Sequence, residues 1–196
     1  MLGQVTGDVP RAAVFVQETL EPDRYTSAEF ARLERERLWA KSWLMACRGE
    51  QLAAGGAVVT FDIADQSILV VRSAPDTLSA YHNACPHRGR RIFSGNGKVQ
   101  KIHCPFHGWQ WNLRGENIRV LDEHDWQACG GLDSREVGLA PVRVAQWAGF
   151  VFICMDPYAE PFETFIDPVP EHLVCLRLEI MRFAWHKTVQ LCANWK

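Results

Sequence analysis

The chain lacks the features of a secreted, a membrane-spanning or a nucleic-acid-binding protein. Residues 1–11 contain neither a basic segment nor an apolar stretch, so the sequence predicts no signal peptide. The longest apolar runs, such as residues 149–155, have the length of a strand and are far too short to span a bilayer. The net charge of −2 gives no general attraction to nucleic acid or anionic lipid. We therefore expect a cytoplasmic protein with neither a nucleic-acid nor a membrane partner.

Disulfide bonds are not expected either. The seven cysteines are an odd number, and no secretory signal accompanies them. Five of the seven have no ligand-like spacing and are predicted to be reduced, mostly buried thiols: Cys47, Cys129, Cys154, Cys175 and Cys192. The other two, Cys85 and Cys104, each lie close to a histidine in the sequence.

Two short motifs carry most of the functional information. Residues 85–87 read Cys-Pro-His, and residues 104–107 read Cys-Pro-Phe-His. Each motif offers one thiolate and one imidazole. Together they supply the ligand set of a Rieske [2Fe–2S] centre, in which two histidines replace two cysteines on one iron. A proline after each cysteine and a glycine shortly after each histidine suit two tight loops.

The four candidate ligands divide into two pairs. Cys85 and Cys104 are predicted to hold the inner iron, and His87 and His107 the outer iron. The same side chains could form a Cys2His2 zinc site, but zinc fingers usually place both cysteines in one loop and both histidines on a helix. Here each loop contributes one of each, which favours the iron–sulfur centre. No catalytic residue is predicted in this chain.

The pattern of the sequence predicts three parts and a mainly β fold class. An N-terminal arm and amphipathic helix occupy residues 1–41, a small antiparallel β domain residues 42–157, and a linker with a first strand residues 158–196. The helix is expected to begin with a capping box, in which Thr26 is the N-cap and Glu29 follows three positions later.

Short strands separated by turns are predicted throughout the β domain. Residues 58–63 and 68–72 are expected to form a hairpin, and residues 139–144 and 149–153 to close the domain. The acidic, glycine-containing residues 122–136 are interpreted as an excursion. Residues 181–191 alternate apolar and polar side chains, which predicts a half-buried strand and, for want of further strands, the front of a longer protein.

The loops resemble those of the large subunits of Rieske non-haem iron oxygenases of the ring-hydroxylating type. The resemblance rests on Cys-Pro-His-Arg-Gly at residues 85–89 and Cys-Pro-Phe-His-Gly-Trp at residues 104–109. It extends to the N-terminal helix, to residues 139–157 and to Asn-Trp-Lys at residues 194–196. In that family Asn-Trp-Lys opens an α+β catalytic domain, so the resemblance implies the truncated start of such a domain here.

One departure separates the loops from those of respiratory Rieske proteins. The respiratory proteins carry an extra cysteine in each loop and a serine after the second His-Gly pair. Residues such as Phe106 and Trp109 stand in those places here. Because fewer hydroxyl donors then reach the sulfurs, we expect a midpoint potential toward the low end of the Rieske range.

The resemblance also implies a function. The cluster would accept electrons from a ferredoxin or from a flavin- or iron–sulfur-containing reductase, and pass them to a mononuclear non-haem Fe(II) for O2-dependent hydroxylation of an organic, expectedly aromatic, substrate. That iron is implied only for the missing domain, so the full-length protein is expected to be an oxidoreductase and this chain alone not to be catalytically competent. A homotrimer is implied, with or without a small β subunit.

Other interpretations stay open at the level of sequence. One is a self-standing Rieske ferredoxin, although the N-terminal helix and the tail exceed what a carrier needs. Another is a zinc-bound module or a non-functional remnant. Trp109 could cover the cluster edge or serve only in the core. Basic residues near the loops could attract an acidic electron donor or merely form a solvated surface: Arg88, Arg90, Arg91, Lys98 and Lys101.

Overall fold

A computed structural model of the chain describes residues 20–121 and 123–193, and at residues 128 and 129 the backbone alone. Two sequence-based predictions therefore fall outside the described residues. They are most of the irregular N-terminal arm and the Asn-Trp-Lys segment at residues 194–196. Within the described ranges, no helix combines the length and the apolar character needed to cross a membrane.

In this part of the chain, ten short strands form two antiparallel sheets, which confirms the mainly β fold class. The larger sheet has the order β1-β10-β9-β4-β3-β2-β5, and the smaller has the order β6-β7-β8. The strands are β1 Leu44–Arg48, β2 Ala57–Ile63, β3 Gln66–Ala74, β4 Thr77–His82, β5 Asn96–Lys98, β6 Ile102–His103, β7 Gln110–Trp111, β8 Asn117–Arg119, β9 Pro141–Trp147 and β10 Phe150–Cys154. The predicted hairpin is confirmed, because β2 pairs with β3 from Val58 to Ile63.

Helical segments lie before, between and after the strands. The α-helices are α1 Asp23–Thr26, α2 Ala28–Glu34, α3 Phe162–Ile166 and α4 Val169–Leu173, and a π-helical stretch, Arg35–Trp39, continues α2. Short 3-10 turns occupy Gly49–Leu52, Glu123–Cys129, Val174–Leu176 and Leu178–Ile180. The acidic excursion predicted over residues 122–136 thus contains a 3-10 turn and no strand among its described residues.

The N-cap of α2 lies one residue later than the sequence predicts. Ser27 has extended backbone angles, and its hydroxyl accepts a hydrogen bond from the Phe30 N–H at 3.3 Å. Thr26 closes α1 instead, and its Oγ1 donates to the Pro22 carbonyl at 3.2 Å. A helical residue cannot act as an N-cap, because the cap needs non-helical angles to turn its oxygen back on the first N–H groups.

Strands β2, β3 and β4 separate two apolar cores. Successive side chains of a strand point to opposite faces, so Val58 packs on one side and Val59 on the other. The loop-side core holds the residues under the smaller sheet: Val58, Leu69, Val71, Tyr81, Ile92, Ile102, Trp111, Val137 and Leu139, together with Cys85, Cys104 and Trp109. The opposite core lies under β1, β10 and β9: Leu52, Ala57, Val59, Ile68, Val70, Ala80, Val142, Val151 and Ile153. A sheet covered on both faces is a firm support for loops at its edge.

Residues 181–191 do not form the strand that their alternation predicts. They carry no strand pairing, and their apolar side chains are exposed, with Trp185 at 78% and Leu191 at 75%. Only the start of the segment is held, where the Arg48 guanidinium donates to the Met181 carbonyl and the Glu50 carboxylate accepts from the Phe183 N–H. The prediction was wrong because alternation makes a strand only against a partner, and none of the described strands pairs with this segment.

Candidate metal centre

The two motif loops have the same pattern of backbone hydrogen bonds. In the first loop the Cys85 N–H donates to the Arg90 carbonyl at 2.8 Å, and the Gly89 N–H donates to the Cys85 carbonyl at 2.7 Å. In the second loop the Cys104 N–H donates to the Trp109 carbonyl at 2.8 Å, and the Gly108 N–H returns to the Cys104 carbonyl at 3.1 Å. Each loop is therefore a closed turn that begins at its cysteine, with the histidine on the outward side of the turn.

Glycine is needed at the end of each turn. Gly89 and Gly108 have φ values of +65° and +69°, in the left-handed region that favours glycine. At Gly108 the space is limited as well, because a Cβ there would approach Leu121 Cδ1 to 2.7 Å. The sequence motif thus encodes the backbone of the loop as well as its donor atoms.

The structure brings the four candidate ligands together as two pairs, Cys85 with Cys104 and His87 with His107. The two cysteines lie deepest, with Cys85 and Cys104 only 3% and 2% exposed. The two histidines lie nearer the surface, and their Nδ1 atoms face each other at 3.0 Å. The donors therefore form a buried sulfur pair and a shallower nitrogen pair, which is the division of ligands that one sulfur-bound and one nitrogen-bound iron require.

Electrostatics at the site suit a bound metal cluster. Burial raises the pKa of the Cys85 thiol to about 11, although the N–H groups of His87 and Arg88 donate to its sulfur and oppose the rise. A thiolate this deep would need a cation to stabilise it, and a bound metal cluster would supply one. The pKa of His87 is lowered by burial and by the charges of His107 and Arg88, which keeps the imidazole in the neutral form that binds metal.

The candidate donors lie in two pairs, one of histidines and one of cysteines. Across the described ranges, no three His, Cys, Asp or Glu side chains surround a point as the ligands of a single ion would. A structural zinc site needs four protein donors around one ion, whereas each iron of a Rieske centre takes only two from the protein. Within the described residues, no two-His, one-carboxylate group for a mononuclear iron is found either.

Aromatic rings surround the two imidazoles. Trp109 stacks on His87 with ring centroids 5.0 Å apart and planes 3° from parallel, and it is 4% exposed. It therefore both covers the site and belongs to the loop-side core, the two roles that the sequence left open. Trp126 meets His87 edge-on at 5.9 Å, and Phe106 stacks on His107 at 3.8 Å.

Asn83 fixes the first loop to the sheet, a role that the sequence analysis missed. Its Oδ1 accepts from the N–H groups of Ile92 and Phe93 at 3.1 and 2.9 Å. Its Nδ2 donates to Ser67 Oγ at 3.0 Å and to the Phe93 carbonyl at 2.8 Å. One buried side chain thereby ties both ends of the loop around Cys85. An asparagine two residues before a candidate ligand was the only sequence signal for this role.

Replacing Asn83 with alanine is expected to destabilise the protein by about 3 kcal/mol, because it removes four hydrogen bonds and leaves two N–H groups of the loop unsatisfied. The free energy of unfolding, measured by chemical denaturation, checks this value. Asn96→Ala, at an exposed position on β5, is the matched control and is expected to change stability by less than about 0.5 kcal/mol. Equal effects of the two substitutions would contradict the role of Asn83.

The other histidines and the basic side chains have other surroundings, although the Arg88 charge is felt at His87. His103, His172 and His186 are exposed, His82 is half-buried with its pKa lowered by burial, and His124 pairs with Asp125 at 3.0 Å. Of the five basic residues, Arg91 pairs with Asp62 at 2.9 Å and Lys101 donates to Gln110 at 2.8 Å. Arg88, Arg90 and Lys98 are exposed.

Comparison with known proteins gives the family. A family model described as "Rieske [2Fe-2S] domain" matches residues 42–128. The oxygenase subunit of carnitine monooxygenase from Escherichia coli strain K12 is 34% identical over 175 residues, which cover 88% of this chain and 46% of that protein. Chloroplastic choline monooxygenase from Beta vulgaris is 35% identical over 132 residues, which cover 67% of this chain and 29% of that protein.

Solved structures agree with the sequence matches. The quaternary ammonium Rieske monooxygenase CntA in complex with L-carnitine has a TM-score of 0.81 at 30% identity, covering 90% of this chain and 50% of that chain. Naphthalene 1,2-dioxygenase with indole bound has a TM-score of 0.68 at 28% identity, covering 74% and 33%. The chain spans about half the length, or less, of the proteins it matches. It belongs to the Rieske non-haem iron oxygenases, a family of oxidoreductases, as the N-terminal Rieske-domain portion of their large subunit, and its cofactor is a Rieske [2Fe–2S] cluster.

Proposed function

We propose that the chain is a one-electron relay whose cluster is held by Cys85 and Cys104 at the inner iron and by His87 and His107 at the outer iron. The facing Nδ1 atoms, 3.0 Å apart above a buried pair of cysteines, are the observation that carries this assignment. When bound, such a cluster supplies reversible one-electron exchange without making or breaking bonds to substrate.

The protein's own groups prepare the site for that exchange. The same two backbone hydrogen bonds close the turn in each loop and so fix the backbone that carries each imidazole. The N–H groups of His87 and Arg88 point at the Cys85 sulfur, where they stabilise negative charge. Trp109 and the loop-side core keep water from the inner pair. These features lower the cost of reorganisation when an electron arrives or leaves.

A redox titration of the purified, cluster-loaded chain tests the proposal. Neutral imidazoles raise the potential above that of all-cysteine clusters, whereas the absence of respiratory-type hydroxyl donors lowers it. We expect a midpoint potential near the low end of the Rieske range, at about −150 mV. A midpoint close to the upper limit of that range, about +300 mV, would point to a respiratory-type donor set instead.

We also propose how the chain is divided and what surrounds it. Residues 42–157 form the Rieske unit, residues 1–41 lie before it, and residues 158–196 lead toward a catalytic domain that holds the mononuclear iron. In the assembled oxygenase, expected to be a trimer, the cluster takes electrons from a ferredoxin or a reductase. The exposed cationic side chains of Arg88, Arg90 and Lys98 favour an acidic donor surface at this end of the molecule.

The substrate of the whole oxygenase is proposed to be a quaternary ammonium compound. The expectation of an aromatic substrate is not supported, because relatives matched over 88% of this chain are carnitine and glycine betaine monooxygenase subunits. Naphthalene 1,2-dioxygenase matches a smaller share of the chain, 74%, at a lower TM-score. Oxygen uptake by the complete, reductase-supplied oxygenase tests this, and uptake with naphthalene but not with carnitine or glycine betaine would overturn it.

A further inference from the structure

The two imidazoles of the centre have different aromatic neighbours. His87 lies between two tryptophans, with Trp109 stacked on its face and Trp126 edge-on at 5.9 Å with planes 79° apart. The two tryptophans also meet each other edge-to-face at 6.3 Å. His107 stacks on Phe106, a residue that is itself 58% exposed. The His87 side of the centre is therefore flanked by a second aromatic ring, and that ring comes from outside both motif loops.

Trp126 is fixed by its own segment. It lies within the 3-10 turn Glu123–Cys129, and its carbonyl accepts a hydrogen bond from the Gly131 N–H at 3.0 Å. Gly131 has a φ of +82°, so the chain turns back directly after the tryptophan. Trp126 and Leu132 both pack against the loop-side core. The excursion between β8 and β9 thereby delivers one indole ring to the candidate centre and holds it there.

We infer that Trp126 is a positioning residue that, together with Trp109, fixes the plane of the His87 imidazole and excludes water from that side of the cluster, which holds the midpoint potential down. The inference rests on the proposed ligand set, since it concerns the surroundings of one proposed ligand. Neither motif contains Trp126, and nothing in the spacing of the loops points to it.

The sign of the effect follows from the charge of the centre. With two thiolates and two neutral imidazoles, an oxidised [2Fe–2S] centre is formally neutral, and the reduced centre carries one negative charge. Water around a ligand stabilises the charged state more than an apolar ring does. Opening the Trp126 side to water therefore favours the reduced state, and the midpoint potential rises.

Two variants and a control test the inference on the cluster-loaded chain at one fixed pH. Trp126→Ala is expected to shift the midpoint potential to more positive values. In D2O, pulsed EPR of the reduced cluster is expected to show a larger deuteron signal from this variant than from the wild-type chain. Trp126→Phe, which keeps an aromatic ring over His87, is expected to restore both readouts to nearly the wild-type values. Trp185→Ala removes an exposed tryptophan from the C-terminal segment and is expected to change neither.

The outcomes separate this inference from the proposed function. If Trp126→Ala loses its cluster, Trp126→Gln, which keeps more side-chain volume than alanine but makes the cover polar, is measured in its place with the same expected rise. An unchanged potential and deuteron signal in the measured variant would overturn the inference, as would loss of the cluster from Trp126→Phe. Absence of iron and sulfide from the wild-type chain would instead overturn the proposed ligand set.

Discussion

Cys104→Ser is expected to abolish the cluster. With the proposed ligand set, the substitution leaves the inner iron with a single thiolate, because a buried serine hydroxyl does not ionise as a cysteine ligand must. Removing a hydrogen-bond partner of a metal ligand already lowers metal affinity 10–100-fold. Because this substitution removes the ligand itself, we expect bound iron and sulfide to fall roughly ten-fold or more. Iron and sulfide analysis, with the visible absorption of the purified chain, measures the loss.

Cys154 provides a matched control for this substitution. It is fully buried, as Cys104 nearly is, but its sulfur lies near the carbonyls of Lys41 and Asp156, away from the loops. A serine hydroxyl can donate to the same carbonyls, so Cys154→Ser is expected to keep the full iron content. Equal loss from both variants would mean that general destabilisation, and not ligand removal, empties the site.

Gly56→Ala is expected to destabilise the fold by about 3 kcal/mol, which combines the cost of a left-handed residue with that of a backbone clash. Gly56 has a φ of +77°, and a Cβ there would overlap the backbone oxygen of Val99. The clash cannot relax cheaply, because Gly56 donates to the Arg72 carbonyl and accepts from the Val99 N–H. Val99 packs against the loop-side core, so a shift of its backbone would disturb that core. The midpoint temperature of thermal unfolding is therefore expected to fall by roughly 6–12 °C.

The neighbouring glycine is the control for Gly56. A Cβ at Gly55 meets nothing within 4 Å, and its backbone does not adopt the left-handed region. Gly55→Ala is therefore expected to change stability by less than about 0.5 kcal/mol. If the two alanine variants unfold at the same temperature, the close contact between Gly56 and the backbone of Val99 is contradicted.

The features that the sequence predicted well are local ones. The motif loops were predictable because donors, prolines and glycines lie within a few residues of each other, and their backbone frame is made by hydrogen bonds inside each loop. The β2–β3 hairpin was predictable for the same reason. The N-cap was missed by one residue because Thr26 was already committed to the preceding turn.

The features that the sequence did not predict depend on contacts between distant segments. Trp126 reaches His87 from 39 positions along the chain, and no spacing rule connects an acidic excursion to a cysteine loop. Asn83 acts through Ser67, which becomes its neighbour only when β3 and β4 pair, and through Phe93 at the far end of the first loop. The alternation over residues 181–191 predicted a strand because it gives the segment one apolar face. The pattern does not show whether a partner strand covers that face. The substrate class was also not readable, because no motif in the chain reports on it.

The most direct test of the account is pulsed EPR of the reduced, cluster-loaded chain, combined with metal analysis. The account predicts equal iron and acid-labile sulfide, with two of each per chain, and two imidazole nitrogens coupled to the unpaired electron, one of them lost in His87→Cys and the other in His107→Cys. A colourless protein that contains zinc, or an iron–sulfur cluster without coupled nitrogens, would contradict it.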